Sequence, residues 1–348
     1  MQIFDKKKMK AAVLYGPTDL HIEEVDIPEI KPDEVLIRVR AIGICPSDVR
    51  SYLGIYKRQM YPWGKESYGL SGHEWCGDIV KVGEAVKDFS VGDRVVPEII
   101  VPCGSCKYCG MGFTHLCKNK GNITRGYAEY AKSPAKALFK LPNNVSFIEA
   151  AFSEPIAVCL HANDIISAKP GQTVLIIGGG PMGLIHVQVT KLSGAQVIVS
   201  EVVESRLKMA KDFGADITLN PAKEDMARIV KDQTGGYGAD AVIVATGSKA
   251  AIESAFKAVR SAGTIVLFGG TYPPANIEVD PNIIHYGEIN VTGSYDHVPH
   301  HIERGLKLLE MKKLNVEKLV SNTFPLEQLK DGFELVKSGY ALKVQVKP

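Results

Sequence analysis

The chain has 348 residues, a formal net charge of +2 at pH 7 and 45% hydrophobic residues. This composition predicts a globular protein and gives no electrostatic case for binding nucleic acid or an acidic membrane surface. The N-terminal lysines precede only a short apolar run, and no apolar stretch approaches the roughly 18 residues that a membrane span needs. We therefore expect a soluble, cytoplasmic protein of one large or two ordinary domains.

The pattern of apolar residues changes along the chain. Residues 9–100 contain short apolar or alternating runs between Gly, Pro and Asp turn signals, which predict a partly closed β-structure. From about residue 170, apolar strands alternate with helical patterns, which predicts a parallel sheet with helices on both faces. The segment from HIERGLKLLEMKKL to ALKVQVKP predicts two helices and a strand that returns to the first domain.

Four cysteines lie within fifteen residues, in the pattern C-x2-C-x2-C-x7-C. They are Cys103, Cys106, Cys109 and Cys117. The chain has seven cysteines and no secretion signal, which argues against a disulfide framework. An iron–sulfur cluster is the main alternative, but its motif places the fourth cysteine three residues after the third, followed by proline. Four thiolates at these spacings favour a closed, structural zinc site.

The sequence GGGPMG fits G-x-G-x-x-G through Gly178, Gly180 and Gly183, directly after the strand VLII and at the start of a helix. This context predicts a dinucleotide site with the pyrophosphate at the helix N-terminus. Glu201 ends the next strand, where a carboxylate binds ribose hydroxyls and repels a 2′-phosphate. NAD is therefore favoured over NADP, although Arg206 lies close enough in sequence to bind a phosphate.

Three further stretches supply candidate ligands for a second metal ion: GICPSDVR, SGHEWCG and SEPIAVCLH. Each is unremarkable alone, since a lone cysteine after a strand is most often a buried small hydrophobe. Together they offer Cys45, His73, Glu74 and Glu154, a donor set suited to an open zinc site.

With these motifs in this order, the chain resembles the zinc-dependent medium-chain alcohol/polyol dehydrogenase superfamily over nearly its whole length. The resemblance implies an α/β fold with a GroES-like β-rich catalytic domain, residues 1–158 and 297–348, which carries both zinc sites. It implies a Rossmann domain with a doubly wound parallel sheet over residues 159–296. Beyond the glycines and Glu201, the implied cofactor contacts are Pro181, Met182, Arg206, Phe268, Gly269 and Lys343.

The resemblance also implies roles around the catalytic zinc. Cys45, His73 and Glu154 would be the ligands, Glu74 a nearby carboxylate able to move onto the metal, and Asp48 the residue that orients His73. Zinc would lower the pKa of the substrate alcohol, and hydride would pass to the nicotinamide.

Ser47 in this zinc-site stretch matches the hydroxyl that relays the alcohol proton in the resembled family. Two other positions depart from that family. Pro46 stands where the family often has glycine, and Arg50 where it commonly has a histidine that carries the proton onward. A guanidinium is a poor proton carrier, because it is effectively always protonated.

The branch of the superfamily follows from Glu154, because simple alcohol dehydrogenases usually have a cysteine there. Glutamate resembles the polyol, sugar and threonine dehydrogenases, and Ile100 replaces a histidine expected in the threonine branch. We therefore expect hydride transfer between a polyol, sugar alcohol or cyclitol and NAD. The resemblance also implies a homo-oligomer, a tetramer or else a dimer. L-threonine 3-dehydrogenase and simple alcohol dehydrogenase activity are the alternatives, and a zinc-less, non-catalytic member is the alternative of a different class.

Overall fold

The structure is a computed structural model that describes residues 6–55, 63–69, 71–123 and 125–348. Two compact units are present. Unit 1 comprises Met1–Glu154 and Val298–Pro348, and unit 2 comprises Pro155–His297. No helix in the described ranges has the length and apolar character that a membrane crossing requires.

The strands of the described residues, in chain order, are β1 Lys8–Gly16, β2 Asp19–Asp26, β3 Glu34–Gly43, β4 Glu74–Val82, β5 Arg94–Pro97, β6 Ile100–Val101, β7 Gly121–Asn122, β8 Tyr130–Pro134, β9 Leu138–Lys140, β10 Thr173–Ile177, β11 Gln196–Ser200, β12 Ile217–Leu219, β13 Ala239–Val244, β14 Val259–Leu267, β15 Asn290–Gly293, β16 Val320–Pro325 and β17 Lys343–Lys347. The α-helices are α1 Pro46–Tyr52, α2 Lys107–Gly110, α3 Phe147–Ala150, α4 Ser153–Ile166, α5 Pro181–Lys191, α6 Glu204–Asp212, α7 Met226–Asp232, α8 Lys249–Ala258, α9 Pro281–Gly287, α10 Pro299–Glu310 and α11 Leu329–Ser338.

Unit 1 is built on a sheet with the order β16-β17-β3-β4-β5-β9, with β8 also paired to β3. Strand β3, EVLIRVRAIG, is apolar except at Glu34, Arg38 and Arg40 and is buried along most of its length, as a central strand should be. The late strand β17 pairs antiparallel with β3, so the predicted return of the chain to the first domain is observed. This pairing joins residues near 43, 74 and 345.

Unit 2 contains six parallel strands in the order β12-β11-β10-β13-β14-β15. Its central strand TVLII is buried at every residue, the pattern of a parallel strand covered on both faces. The strand order reverses between β10 and β13, and ligands of doubly wound sheets bind at such a switch point. The predicted fold class, a β-rich domain together with a doubly wound parallel-sheet domain, is observed.

Candidate active site

The first candidate ligand stands at the start of a helix in unit 1. Cys45 is the N-cap of α1, with extended φ and ψ of −91° and 146°, and Pro46 takes the first helical position. Proline fits there because its fixed φ is already helical and its missing N–H would have no partner within the helix. Asp48 accepts the Cys45 amide at 3.0 Å, which closes a capping box. Pro46, which departs from the resembled family, therefore favours a helix start directly after Cys45.

Asp48 lies completely buried beneath this helix start and faces His73. The Nδ1 atom of His73 lies 3.2 Å from Asp48 Oδ1 and 3.1 Å from the carbonyl oxygen of Ser71. Both partners are acceptors, so Nδ1 carries the proton and Nε2 is left for a metal ion. Burial opposes the charge of Asp48, but the neighbouring imidazole and hydrogen bonds from Ser71 and Tyr127 lower its pKa below the ordinary value.

Three potential ligand atoms converge in unit 1. Those of Cys45, His73 and Glu74 all lie within 4.8 Å of one another. A thiolate, an imidazole and a carboxylate are the donors that zinc accepts in sites that keep a fourth position open, so the residues fit a catalytic zinc. Glu154, at the start of α4, is outside this cluster among the described residues.

The carboxylate of Glu74 is held by a lysine from the far end of the sequence. Lys343 Nζ lies 2.7 and 2.6 Å from the two Glu74 oxygens, and the two side chains are only 4% and 2% exposed. Burial lowers the pKa of Lys343, but the negative charges of Glu74, Cys45 and Glu154 outweigh burial and raise it. A Cβ at Gly43 would overlap the Glu74 carboxylate, so this pair depends on the absence of a side chain there.

The four-cysteine segment gathers its sulfurs as a metal site requires. The Sγ atoms of Cys106 lie 3.5 Å from Cys109 and 3.8 Å from Cys117, and those of Cys103 and Cys109 are 4.0 Å apart. Tetrahedral zinc with Zn–S bonds of about 2.3 Å implies S···S separations of about 3.8 Å. All seven cysteines of the chain are free thiols. The cluster therefore fits a closed four-thiolate zinc site.

The three glycines of the motif in unit 2 are required for different reasons. Gly178 has φ of 108°, which only glycine adopts readily, and a Cβ at Gly183 would overlap the Gly178 carbonyl oxygen. Gly180 caps α5, with Pro181 and Met182 in its first turn, and a Cβ there would meet nothing within 4 Å. Open space beside Gly180 is what a pyrophosphate approaching the backbone requires.

A cavity of about 770 Å³ opens at this loop, with Glu201, Arg206, Val202 and Val203 in its lining. The Glu201 carboxylate accepts the amide of Gly179 at 2.6 Å and those of Val202 and Val203 at 2.7 and 3.0 Å. These bonds fix the carboxylate at the rim of the glycine loop. The cavity is large enough for the adenosine part of a dinucleotide.

Two further predicted cofactor residues follow β14. The amides of Phe268 and Gly269 both donate to the Val244 carbonyl, at 3.2 and 3.0 Å, and a Cβ at Gly269 would press on Thr246. The Phe268 ring meets buried His186 edge to face, with ring centroids 4.5 Å apart. Phe268 and Gly269 thus lie at the carboxyl edge of the sheet, where dinucleotides bind.

Comparison with known proteins identifies this combination of sites. Residues 31–143 match the family profile described as an alcohol dehydrogenase GroES-like domain, and residues 181–310 match that of a zinc-binding dehydrogenase. The chain is 36% identical to an erythritol/L-threitol dehydrogenase from Mycolicibacterium smegmatis, over 98% of both chains. It belongs to the zinc-dependent medium-chain alcohol/polyol dehydrogenase superfamily.

Other members are similar over comparable lengths. A sorbitol dehydrogenase from Bacillus subtilis is 33% identical over 98% of both chains, and an L-threonine 3-dehydrogenase from Pyrococcus furiosus is 35% identical over 97% of this chain and 96% of its own. A zinc-binding dehydrogenase from Sinorhizobium meliloti, solved with NADP, has a TM-score of 0.91 and 30% identity, with 99% and 100% of the two chains covered. This dehydrogenase is therefore an enzyme of a family that uses zinc and a nicotinamide nucleotide.

The remaining predicted residues of the dehydrogenase lie on α1 and on β17. Ser47 and Arg50 are half-buried on α1, whereas Lys343, predicted at the cofactor, contacts Glu74 in unit 1. Sequence reasoning missed Tyr127, which donates to Asp48 at 2.7 Å across 79 residues of chain. Burial, followed by the charge of Asp48, raises the pKa of Tyr127 well above its ordinary value. No local motif predicts such a contact, because it joins segments that are distant in the sequence.

Proposed function

We propose that this dehydrogenase oxidises a secondary hydroxyl of a polyol, sugar alcohol or cyclitol with NAD, using one catalytic and one structural zinc ion per chain. The observation that carries the proposal is the convergence of Cys45, His73 and Glu74 in unit 1. The four-thiolate cluster supports the second ion. Zinc content measured on the purified protein tests this directly: two ions per chain are expected, and a single ion would contradict it.

The residues around the proposed catalytic zinc have different roles. When bound, zinc would supply a Lewis acid that makes the substrate hydroxyl acidic, and a nicotinamide would supply the hydride acceptor. Asp48 holds the Nδ1–H of His73, which presents Nε2 to the metal. Ser47, two residues after Cys45, receives the alcohol proton, and Arg50 remains charged instead of carrying it. Lys343 keeps the nearby Glu74 carboxylate paired.

The preference for NAD rests on Glu201. Its carboxylate is fixed by three backbone amides at the rim of the cavity, where it accepts ribose hydroxyls and repels a 2′-phosphate. We expect a higher kcat/KM with NAD than with NADP, and a reduced ratio in Glu201→Ala. A wild-type enzyme that prefers NADP would overturn this assignment; the NADP bound to the Sinorhizobium meliloti protein makes the comparison necessary.

The substrate class rests on similarity and on Glu154. The erythritol/L-threitol dehydrogenase and sorbitol dehydrogenase named above act, by their names, on polyols. Glu154 is proposed as the third zinc ligand, joining the cluster when the ion binds, and a harder carboxylate ligand suits vicinal diols. Glu154→Gln is expected to weaken catalytic zinc and diol oxidation while NAD binding stays unchanged. Full zinc content and turnover in this variant would reject the role.

A panel of substrates decides between branches. Initial rates with NAD are compared for erythritol, sorbitol, a cyclitol, L-threonine and ethanol. Polyols or cyclitols are expected to give the highest kcat/KM. L-threonine is the second candidate because of the 35% identity to the Pyrococcus furiosus enzyme, and a threonine rate above every polyol would move the protein to that branch.

We also propose a homotetramer. Strand β15 ends the sheet of unit 2 and has half-exposed and exposed residues throughout, so its free edge can pair with the same strand of another copy. Light scattering is expected to give the mass of four chains, and the mass of one chain would contradict the proposal.

A further inference from the structure

The carboxylate behind His73 is surrounded by donors from four separate positions in the chain. Asp48 Oδ2 accepts the Cys45 amide at 3.0 Å and the Tyr127 hydroxyl at 2.7 Å. Asp48 Oδ1 accepts the Ser71 hydroxyl at 2.6 Å and faces His73 Nδ1 at 3.2 Å. A carboxylate has about four acceptor positions, two on each oxygen, so this one is fully used.

The geometry assigns Tyr127 and Ser71 as positioning residues of the catalytic zinc site, acting through Asp48. Their hydroxyl groups fix the rotation of the Asp48 carboxylate, one on each oxygen. The fixed carboxylate fixes the plane of the His73 ring and its Nδ1–H tautomer, and hence the direction of Nε2. This inference rests on the proposed zinc function, and it extends the site to two residues that do not touch the metal.

The backbone explains how the Tyr127 hydroxyl reaches so deep a position. The Tyr127 amide donates to the Gly69 carbonyl at 3.1 Å, and the Gly126 amide donates to the Gly72 carbonyl at 3.0 Å. A Cβ at Gly72 or Gly126 would overlap the Ile42 side chain. Glycine at both positions therefore lets the two hydrogen-bonded segments pack against Ile42 of β3, and in this arrangement the hydroxyl of Tyr127 lies behind the metal site.

Packing alone does not account for the tyrosine. The Tyr127 ring is fully buried and meets Phe333 edge to face, with ring centroids 5.5 Å apart. A phenylalanine would keep that contact, so the hydroxyl is the group whose purpose the Asp48 contact explains. A phenol beside a carboxylate acts as a hydrogen-bond donor, because the ionised carboxylate can only accept.

The test is zinc affinity of the purified full-length protein, measured by chelator competition after selective removal of the more weakly bound ion. Loss of a supporting hydrogen bond typically weakens metal binding about 10–100-fold. We expect Tyr127→Phe and Ser71→Ala each to weaken the catalytic zinc by about tenfold, near the low end of that range. Tyr130→Phe, a substitution at the buried tyrosine that begins β8, is the matched control and is expected to keep wild-type affinity.

A double-mutant cycle separates positioning through Asp48 from general loosening of the fold. In an Asp48→Ala background, Tyr127→Phe is expected to cause no further loss of zinc affinity, because its partner is gone. The same tenfold loss in both backgrounds would overturn the inference, as would unchanged affinity in Tyr127→Phe alone. The unfolding midpoint of the metal-free variants shows whether a loss reflects folding; a zinc loss matched by an equal loss of stability would also count against positioning.

The outcomes distinguish this inference from the proposed function. A wild-type protein that binds only one zinc ion contradicts the catalytic zinc itself. A wild-type protein that binds two, with Tyr127→Phe indistinguishable from it, keeps the proposed function and rejects the role of the tyrosine. Substitution of the weaker site with cobalt(II) gives a second readout, since a rotated His73 ring changes the visible absorption bands of the bound ion.

Discussion

Replacing Lys343 with methionine would leave the Glu74 carboxylate buried without its cation. The two side chains are 4% and 2% exposed, with both carboxylate oxygens within 2.7 Å of the ammonium group. Breaking such a pair from one side costs about 3–5 kcal/mol, because a buried charge loses its compensation. At roughly 2–4 °C per kcal/mol for a domain of this size, the metal-free unit 1 should melt about 6–20 °C lower.

Intrinsic fluorescence is a suitable assay because both tryptophans of the chain, Trp63 and Trp75, lie in unit 1. Their signal follows the unfolding of that unit alone, in protein stripped of metal by chelation. The double variant Glu74→Gln/Lys343→Met, which removes both charges, is expected to recover most of the lost stability. Zinc added to Lys343→Met should also restore part of it, because the released carboxylate then has a cation nearby.

A matched control comes from an exposed ion pair in the same unit. Lys10 and Glu327 are also 2.6 Å apart, but their side chains are 55% and 50% exposed. Lys10→Met is therefore expected to leave the unfolding midpoint unchanged. The reasoning is refuted if Lys343→Met unfolds like wild type, or if it raises the KM for NAD with no loss of stability, since Lys343 would then act on the cofactor.

Three other perturbations have expected outcomes. Gly183→Ala should destabilise unit 2 by about 1–3 kcal/mol, because the new methyl overlaps the Gly178 carbonyl, whereas Gly180→Ala should keep stability in calorimetry and weaken NAD binding. Burial lowers the pKa of His186 to about 3, so the unfolded state takes up a proton that the folded state refuses; stability falls as pH drops from about 6.5 toward 3, and acid titration of His186→Gln should show a smaller fall. Cys103→Ser should lower the melting temperature and the content of tightly held zinc, and selective loss of turnover at full stability would contradict the structural role of that ion.

Local patterns predicted most of the architecture. The glycine motif was recognisable because its three glycines fall within one strand-to-helix turn, and the four-cysteine cluster because its spacing is short. Cys45 and His73 could be proposed because the stretches GICPSDVR and SGHEWCG together offer zinc donors in the order that the resembled family has them. The change in periodicity near residue 170 predicted a β-rich part followed by a parallel sheet with helices, and the family resemblance supplied the GroES-like and Rossmann folds.

Contacts between distant segments could not be predicted in the same way. Lys343 was assigned to the cofactor, and its buried pairing with Glu74 arises only because β17 docks beside β3 and Gly43 leaves space. The Tyr127 hydroxyl reaches Asp48 because the segments of Gly72 and Gly126 are joined by a backbone hydrogen bond and pack against Ile42. Both contacts depend on side-chain directions in the folded sheet, and no periodicity or spacing in one sequence encodes them.

The position of β17 has a consequence for the order in which the protein is made. Unit 2 is one uninterrupted stretch, Pro155–His297, whereas unit 1 needs β17, which leaves the ribosome after every other strand described here. A nascent chain can therefore complete its Rossmann sheet while Glu74 still waits for Lys343. Until β17 docks, Glu74 lacks the cation that pairs with it, so the buried ion pair of unit 1 is completed only after the last described strand has been made.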